Sequence, residues 1–417
     1  MNRIVNPAQK DWKDVLKRPT QTVSDIESTV NTVFTEVKAN GDSALKSYTA
    51  KFDGVSISNF EVSEGEIAAA IELVSFELKN AIQLAKTNIY NFHKAQKTNS
   101  VKVETVGGVQ CWQEKRPIQK VGLYIPGGTA PLFSTILMLA VPASIAGCND
   151  VVLCTPPNKE GAINPVILYA ASLCGVSKIY KVGGIQAIAA MTFGTESISQ
   201  VYKIFGPGNQ YVTVAKQIAT KHGVAIDMPA GPSELLVVAD DSANAAFVAS
   251  DLLSQAEHGI DSQVILVSKS KKLIDAVEEE NIAEKAIANS KLIFIDDDTS
   301  AINLINEYGP EHYIICVENE DLYLDNITNA GSVFIGNYTP ESAGDYASGT
   351  NHTLPTNGYA KQYSGVNLDS FTKSMTFQKI NEEGIKNIGN AIELMAEAEG
   401  LQAHKNAVTL RLKSLKE

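Results

Sequence analysis

From about Gln119 the chain settles into a texture that few folds can accept. Short apolar runs, each closed by a glycine- or proline-rich turn (KVGLYIPGG, DVVLCTPP, KIYKVGG, VYKIFGPG), alternate with helical segments such as NPVILYAASLCG and IQAIAAMTFG. A short, continuously apolar strand has no polar face to offer water, so it must be covered on both sides. The intervening helices are the natural cover, which implies βαβ units and a mainly parallel sheet. A second series follows from Pro232, with SELLVVAD, SQVILVSKS, KLIFIDD, EHYIICVEN and GSVFIGN again separated by helical runs. The expectation is an α/β protein with two adjoining modules.

The flanks read differently. TVSDIESTVNTVFTEVKANG predicts a helix from a Thr/Ser cap signal to Gly41, and SEGEIAAAIELVSFELKNAIQLAKTNIYNF reads as a long amphipathic helical run. PLFSTILMLAVPASIAG (131–147) is broken by Ser, Thr and Pro142, and suits a buried helix better than a membrane span. The stretch 337–358, rich in Gly and Pro, shows no periodic element and reads as a long irregular loop, usually a functional one. GIKNIGNAIELMAEAEGLQAHKNAVTLRLKSL returns to amphipathic helix.

Charge narrows the partners. The 417 residues carry 35 basic and 47 acidic side chains, a net charge of −12, without a Lys/Arg cluster. A nucleic-acid groove is not expected. MNRIVNPAQKDWKDVL has no apolar signal core, so secretion by that route is unsupported. Five cysteines (Cys111, Cys148, Cys154, Cys174, Cys316) lack CxxC spacing. They read as free thiols in a reducing cytoplasm, and cysteine ligation of a metal is disfavoured.

The candidate chemistry is carried by a few polar groups. In LLSQAEHG, Gln255 and His258 stand three apart on one helix face, with Asp251 a turn earlier. They can share a cation, or they can be an ordinary solvated last turn. Glu311–His312 opens a strand after Pro310, where it is either a solvated edge or an acid–base pair. His352 lies seven residues after Asp345, and His404 five after Glu399. Side-chain chemistry alone allows an O/N metal site of Gln, His and Asp, with zinc plausible although an amide oxygen is an uncommon zinc ligand. VGLYIPGGTAP and VYKIFGPGNQYV place glycine-rich turns between strand and helix, as phosphate binding requires. Neither is GxGxxG, no acidic residue sits at the usual offset, and tight turns need glycine anyway.

Taken together the blocks VGLYIPGGTAPLFSTILMLAVPA, KVGGIQAIAAMTFGT, IFGPGNQYVTVAK, DMPAGPSELLVVAD, DLLSQAEHG, GPEHY, ESAGDYASGTNHTLPTNGYA and AEGLQAHKNAVTLR closely resemble the histidinol dehydrogenase family, in its order, from about Val121 to Arg411. The resemblance implies oxidation of L-histidinol to L-histidine in two NAD-dependent steps, through an aldehyde held on the enzyme. It implies one zinc ion per subunit on Gln255, His258, Asp345 and His404, the last from the partner in a homodimer with shared sites. It assigns acid–base work to His312 and water activation to Glu311. Substrate contacts fall on Ser233, His352 and Glu399 and on the metal ligands and His312; cofactor contacts fall on Tyr124, Gln186 and Asn209.

The architecture implied is two incomplete Rossmann-like modules with a helical N-terminal region and tail. Residues 1–20 form an N-terminal segment; 21–118 with 233–363 the first α/β domain; 119–232 the second, nucleotide-binding; and 364–417 a tail exchanged in the dimer. Departures from the family pattern are Gly309, where alanine is usual, Tyr313 for leucine and Lys361 for arginine. The alternative is a paralogue that oxidises another polar alcohol, such as a sulfonated diol; Ser233, His352 and Glu399 argue for histidinol. A non-catalytic relative would have lost Glu311, His312 or a ligand, and a generic zinc alcohol dehydrogenase would show cysteine ligands and GxGxxG.

Overall fold

A computed structural model of the chain describes residues 2–19, 23–127, 131–280 and 289–415. The chain splits into two compact units, Met1–Gln96 with Ile118–Phe371, and Lys97–Pro117 with Thr372–Glu417.

The first unit holds two all-parallel sheets. One runs Lys178–Lys181, Asp150–Thr155, Lys120–Tyr124, Lys203–Phe205, Ala225–Ile226. The other runs Lys291–Phe294, Gln263–Ser268, Glu234–Ala239, His312–Cys316, Ser332–Ile335, with Asn2–Val5 added beside Lys291–Phe294. Numbered by chain order inside each module, both sheets have the order 3-2-1-4-5, which reverses direction beside the first strand. All six residues of Glu234–Ala239 and of Gln263–Ser268 are buried. Leu236 and Val238 face a core with Ile265, Ile305 and Tyr308, while Leu235 and Val237 face one with Val248, Leu252 and Ile314. Burial of each such side chain stabilises the fold by about 1.5–3 kcal/mol, which is why these strands read as unbroken apolar runs.

Three expectations change. Gly41 (φ 50°, ψ −130°) ends the first helix as read, but a second helix continues directly to Tyr48. The long run after Ser63 is two helices, Glu64–Leu73 and Phe76–Ala95; Val74 is extended and the Ser75 hydroxyl accepts from Leu78 N to start the second. The irregular stretch contains a short helix, Glu341–Tyr346. PLFSTILMLAVPASIAG is a buried helix over Phe133–Ala146, and no helix among the described residues is long and apolar enough to cross a membrane. All five cysteines are free thiols. Residues 128–130 of the first glycine-rich turn lie outside the described residues.

The second unit comprises an antiparallel sheet, Lys102–Val106, Val109–Pro117 and Thr372–Ile380, with the helices Glu382–Ala398 and Gln402–Ser414.

Candidate active site

The strands of the module that follows Pro232 run parallel, so the helix after each must return to the amino edge of the sheet before the next strand starts. Ala245–Ala256 does this between Glu234–Ala239 and Gln263–Ser268, packing Val248 and Leu252 on the sheet. Its last turn therefore delivers Gln255 to the edge where Glu234–Ala239 and His312–Cys316 begin.

There Glu311 and His312 are both buried, at 6% and 4% exposure, so they are not a solvated strand opening. Glu234 holds them both through its backbone: its N–H donates to Glu311 Oε2 at 2.8 Å, and its carbonyl lies 3.1 Å from His312 Nδ1. A carbonyl can only accept, so the ring proton belongs on Nδ1 and a neutral ring keeps its lone pair on Nε2. That Nε2 is buried, lies 3.7 Å from Asp345 Oδ1, and has no hydrogen-bond partner.

Across from it the coordinating atoms of His258, Glu341 and Asp345 all lie within 4.8 Å of one another. Gln255 joins them: with both ends of its amide satisfied, Nε2 donates to Glu341 Oε1 and Oε1 accepts from Glu234 N at 3.1 Å. Burial pushes Glu311 and Glu341 above the usual carboxylate range, with His312 only partly offsetting it. Burial also opposes charge on His312, but Glu311, Glu341 and Asp345 outweigh it and raise the ring. Asp345 is held low despite burial, chiefly by His312. A buried excess of carboxylates around one imidazole, with oxygen and nitrogen donors converging, is what a divalent cation would neutralise.

The other expected residues divide by position. His352 closes the same pocket, Nδ1 2.9 Å from the Asp345 carbonyl and Nε2 3.0 Å from Thr135 Oγ1. Ser233 immediately precedes Glu234 and is half-buried. Glu399 caps the end of Glu382–Ala398 and His404 lies in the first turn of Gln402–Ser414; both are exposed and belong to the second unit.

Two departures from the family pattern meet each other. Gly309 ends the helix Asp298–Tyr308 at φ 61°, a left-handed conformation that favours glycine, and a Cβ there would lie 3.3 Å from Lys361 Cγ. Tyr313 is buried in the core behind the site.

Tyr124, Gln186 and Asn209 are brought together elsewhere, lining a cavity of about 760 Å³ at the carboxyl ends of the sheet that begins with Lys120–Tyr124. Tyr124 Oη accepts from Gly184 N at 3.0 Å, and Asn209 caps Gln210–Lys221 by accepting from Val212 N at 3.1 Å. Gln186 is fully buried, and its Oε1 has no partner. The glycines here serve close packing as well: a Cβ on Gly206 (φ 129°) would run into the Tyr124 carbonyl.

Glu341 was not anticipated from the sequence, although it stands four before Asp345 on one face of a helix, a spacing that could have exposed it. Arg18 and Glu234 were missed too. Arg18 pairs bidentately with Glu234, Nε to Oε1 at 2.5 Å and Nη2 to Oε2 at 2.8 Å, behind the Glu311–His312 pair. Nothing local in the sequence marks that contact.

Comparison with known proteins identifies the family. The family model described as histidinol dehydrogenase matches residues 16–412. Histidinol dehydrogenase of Bacteroides thetaiotaomicron is 58% identical over 100% of both chains, and that of Escherichia coli K12 is 54% identical over 97% of this chain and 96% of its own. The crystal structure of histidinol dehydrogenase from Elizabethkingia anophelis superposes with a TM-score of 0.97 at 56% identity, covering 100% of this chain and 99% of that one. With a family model matching nearly end to end and relatives this similar over their whole length, the chain belongs to the histidinol dehydrogenase family.

Proposed function

We propose that this protein oxidises L-histidinol to L-histidine through L-histidinal, in two NAD-linked steps, as a cytoplasmic homodimer with one zinc ion per subunit. The observation that carries the reading is the buried, unpartnered Nε2 of His312 beside the convergent donors of His258, Glu341 and Asp345. Family membership over the full length names the substrate that such a site serves.

Gln255, His258 and Asp345 would hold the zinc, with His404 of the partner subunit as the fourth ligand. Bound there, zinc supplies coordination positions for the substrate's nitrogen atoms and so mainly fixes its orientation. NAD held at the second site would supply the hydride acceptor. The chain's own residues handle the protons. An alcohol cannot release hydride while keeping its hydroxyl proton, and His312 Nε2, with Nδ1 committed to the Glu234 carbonyl, would take it when a bound divalent cation offsets the carboxylates that otherwise raise the ring. The second step needs water added to the aldehyde. Glu311, whose carboxylate the Glu234 N–H holds at 2.8 Å, would accept that water's proton; burial raises the group to about 8, so its ionised, working form grows as pH rises toward that value. Glu341 fixes the Gln255 amide so that its oxygen remains the available donor. Ser233, His352 and Glu399 supply polar contacts to the ammonium-bearing substrate, and Tyr124, Gln186 and Asn209 contact the cofactor.

The test is stoichiometric. Purified protein with zinc, NAD and L-histidinol should form two NADH per histidinol consumed. One NADH per histidinol would make it a simple alcohol dehydrogenase, and turnover only of another polar alcohol, such as a sulfonated diol, would move it to a paralogous reaction.

A further inference from the structure

A dinucleotide-binding module of this strand order usually carries a carboxylate at the end of its second strand, where it hydrogen-bonds the hydroxyl groups of the adenosine ribose. Here the second strand, Asp150–Thr155, runs into Pro156, Pro157 and Asn158, and the first carboxylate beyond it, Glu160, is exposed and is not among the residues that line the cavity. The cavity at these strand ends nevertheless contains one. Asp53 lines it together with Thr155, Pro156, Gln186 and Asn209, although it comes from the N-terminal helical region.

Its delivery follows from the fold. The turn Thr49–Asp53 is closed by Gly54 (φ 74°), and the chain then lies along the third strand of the sheet. Lys181 N donates to the Phe60 carbonyl at 2.8 Å and Val62 N to the Ile179 carbonyl at 2.9 Å, which fixes the segment beside that strand. Asp53 and Lys159 are the only ionisable carboxylate and ammonium among the described residues that line the cavity. Asp53 accepts one hydrogen bond, from Gln186 Nε2 at 3.3 Å. Gln186 is itself fully buried with an unpartnered Oε1. The Asp53 carboxylate and the Gln186 Oε1 thus stand beside each other with acceptor capacity to spare, which is complementary to a ligand that brings hydroxyl groups. Burial raises the Asp53 carboxyl to about 6, so at neutral pH it is ionised and ready to accept.

We propose that Asp53 binds the adenosine ribose diol of the dinucleotide and sets the preference for NAD over NADP, doing the work of a carboxylate at the end of the second strand, where Pro156 and Pro157 stand here. A carboxylate facing that ribose accepts from both hydroxyl groups in NAD and repels the 2′-phosphate of NADP. This inference rests on the assignment of the cavity to the cofactor.

The experiment measures the binding of NAD and of NADP by calorimetry to full-length wild type, Asp53→Asn and Asp53→Ala. A pair of charge-assisted hydrogen bonds lost to an amide should weaken NAD by about tenfold to a hundredfold. NADP should weaken much less or strengthen, so the NAD-to-NADP ratio collapses in both variants. A purely structural role for Asp53 would lower both affinities together and leave that ratio in place, which overturns the proposal. Unchanged NAD binding in both variants overturns it as well. If wild type binds neither dinucleotide, the assignment of the cavity has failed instead, and Asp53 falls with it.

Discussion

Replacing Arg18 with methionine should damage the active site from the back. The Arg18 guanidinium makes two hydrogen bonds to Glu234, a third to the Tyr308 carbonyl at 2.9 Å, and lies 3.9 Å from the Tyr308 ring centroid. The Glu234 side chain is only 2% exposed, so methionine would fill the space and leave a buried carboxylate without its cation. Removing one partner of a buried pair costs about 3–5 kcal/mol. Two features favour the low end: Arg18 is 14% exposed, which lets water approach, and Asn357 N still donates to Glu234 Oε1 at 2.7 Å. The orphaned Tyr308 carbonyl adds about 1 kcal/mol, for a total near 4 kcal/mol. Urea unfolding should show that loss. Because the backbone of Glu234 holds both Glu311 and His312, kcat should fall by at least about tenfold while KM for histidinol moves less. Adding Glu234→Gln should recover about half the stability, since an amide needs no cation. A loss below about 1 kcal/mol with unchanged kcat, or no recovery in the double variant, would refute the reasoning.

Three further outcomes are expected. Glu311→Gln should slow histidinal oxidation by about 10²–10⁴ and histidinol oxidation less, because an amide cannot take a proton from water; equal slowing of the two would mean that the roles of Glu311 and His312 are misassigned. Glu341→Gln should weaken zinc retention by about 10–100-fold in chelator competition, and unchanged retention would remove Glu341 from the metal's surroundings. His258→Asn and His404→Asn, each nearly inactive alone, should regain about a quarter of wild-type activity when refolded together. Half of randomly paired dimers are mixed, and each then has one intact site if His404 acts across the interface; no recovery would place His404 in its own chain's site.

What could be read in advance depended on whether the physics was local. The strands Glu234–Ala239 and Gln263–Ser268 were visible because burial on both faces writes itself as an apolar run. Thr372–Ile380 was not, because only two of its residues are even partly buried, and it passed for tail. Glu341–Tyr346 was hidden because six residues are too few to show a helical period. In the site, the spacing of Gln255 and His258 could be read from one helix, but their meeting with Glu341 and His312 depends on where parallel strands begin.

The two modules make the same point through chemistry. They share one strand order, yet the candidate acid–base pair sits at the amino edge of one sheet and the candidate cofactor cavity at the carboxyl edge of the other. Strand order alone therefore does not choose the working edge. At the amino edge the choice follows from Glu234, whose backbone serves Glu311 and His312 while its side chain is tied to Arg18. At the carboxyl edge a fixed-offset search for an acidic residue fails, since the carboxylate arrives from a turn about a hundred residues before the second strand. What the nucleotide requires is a carboxylate at one point in space, and a motif read along the chain tests only one of the routes by which a fold can put it there.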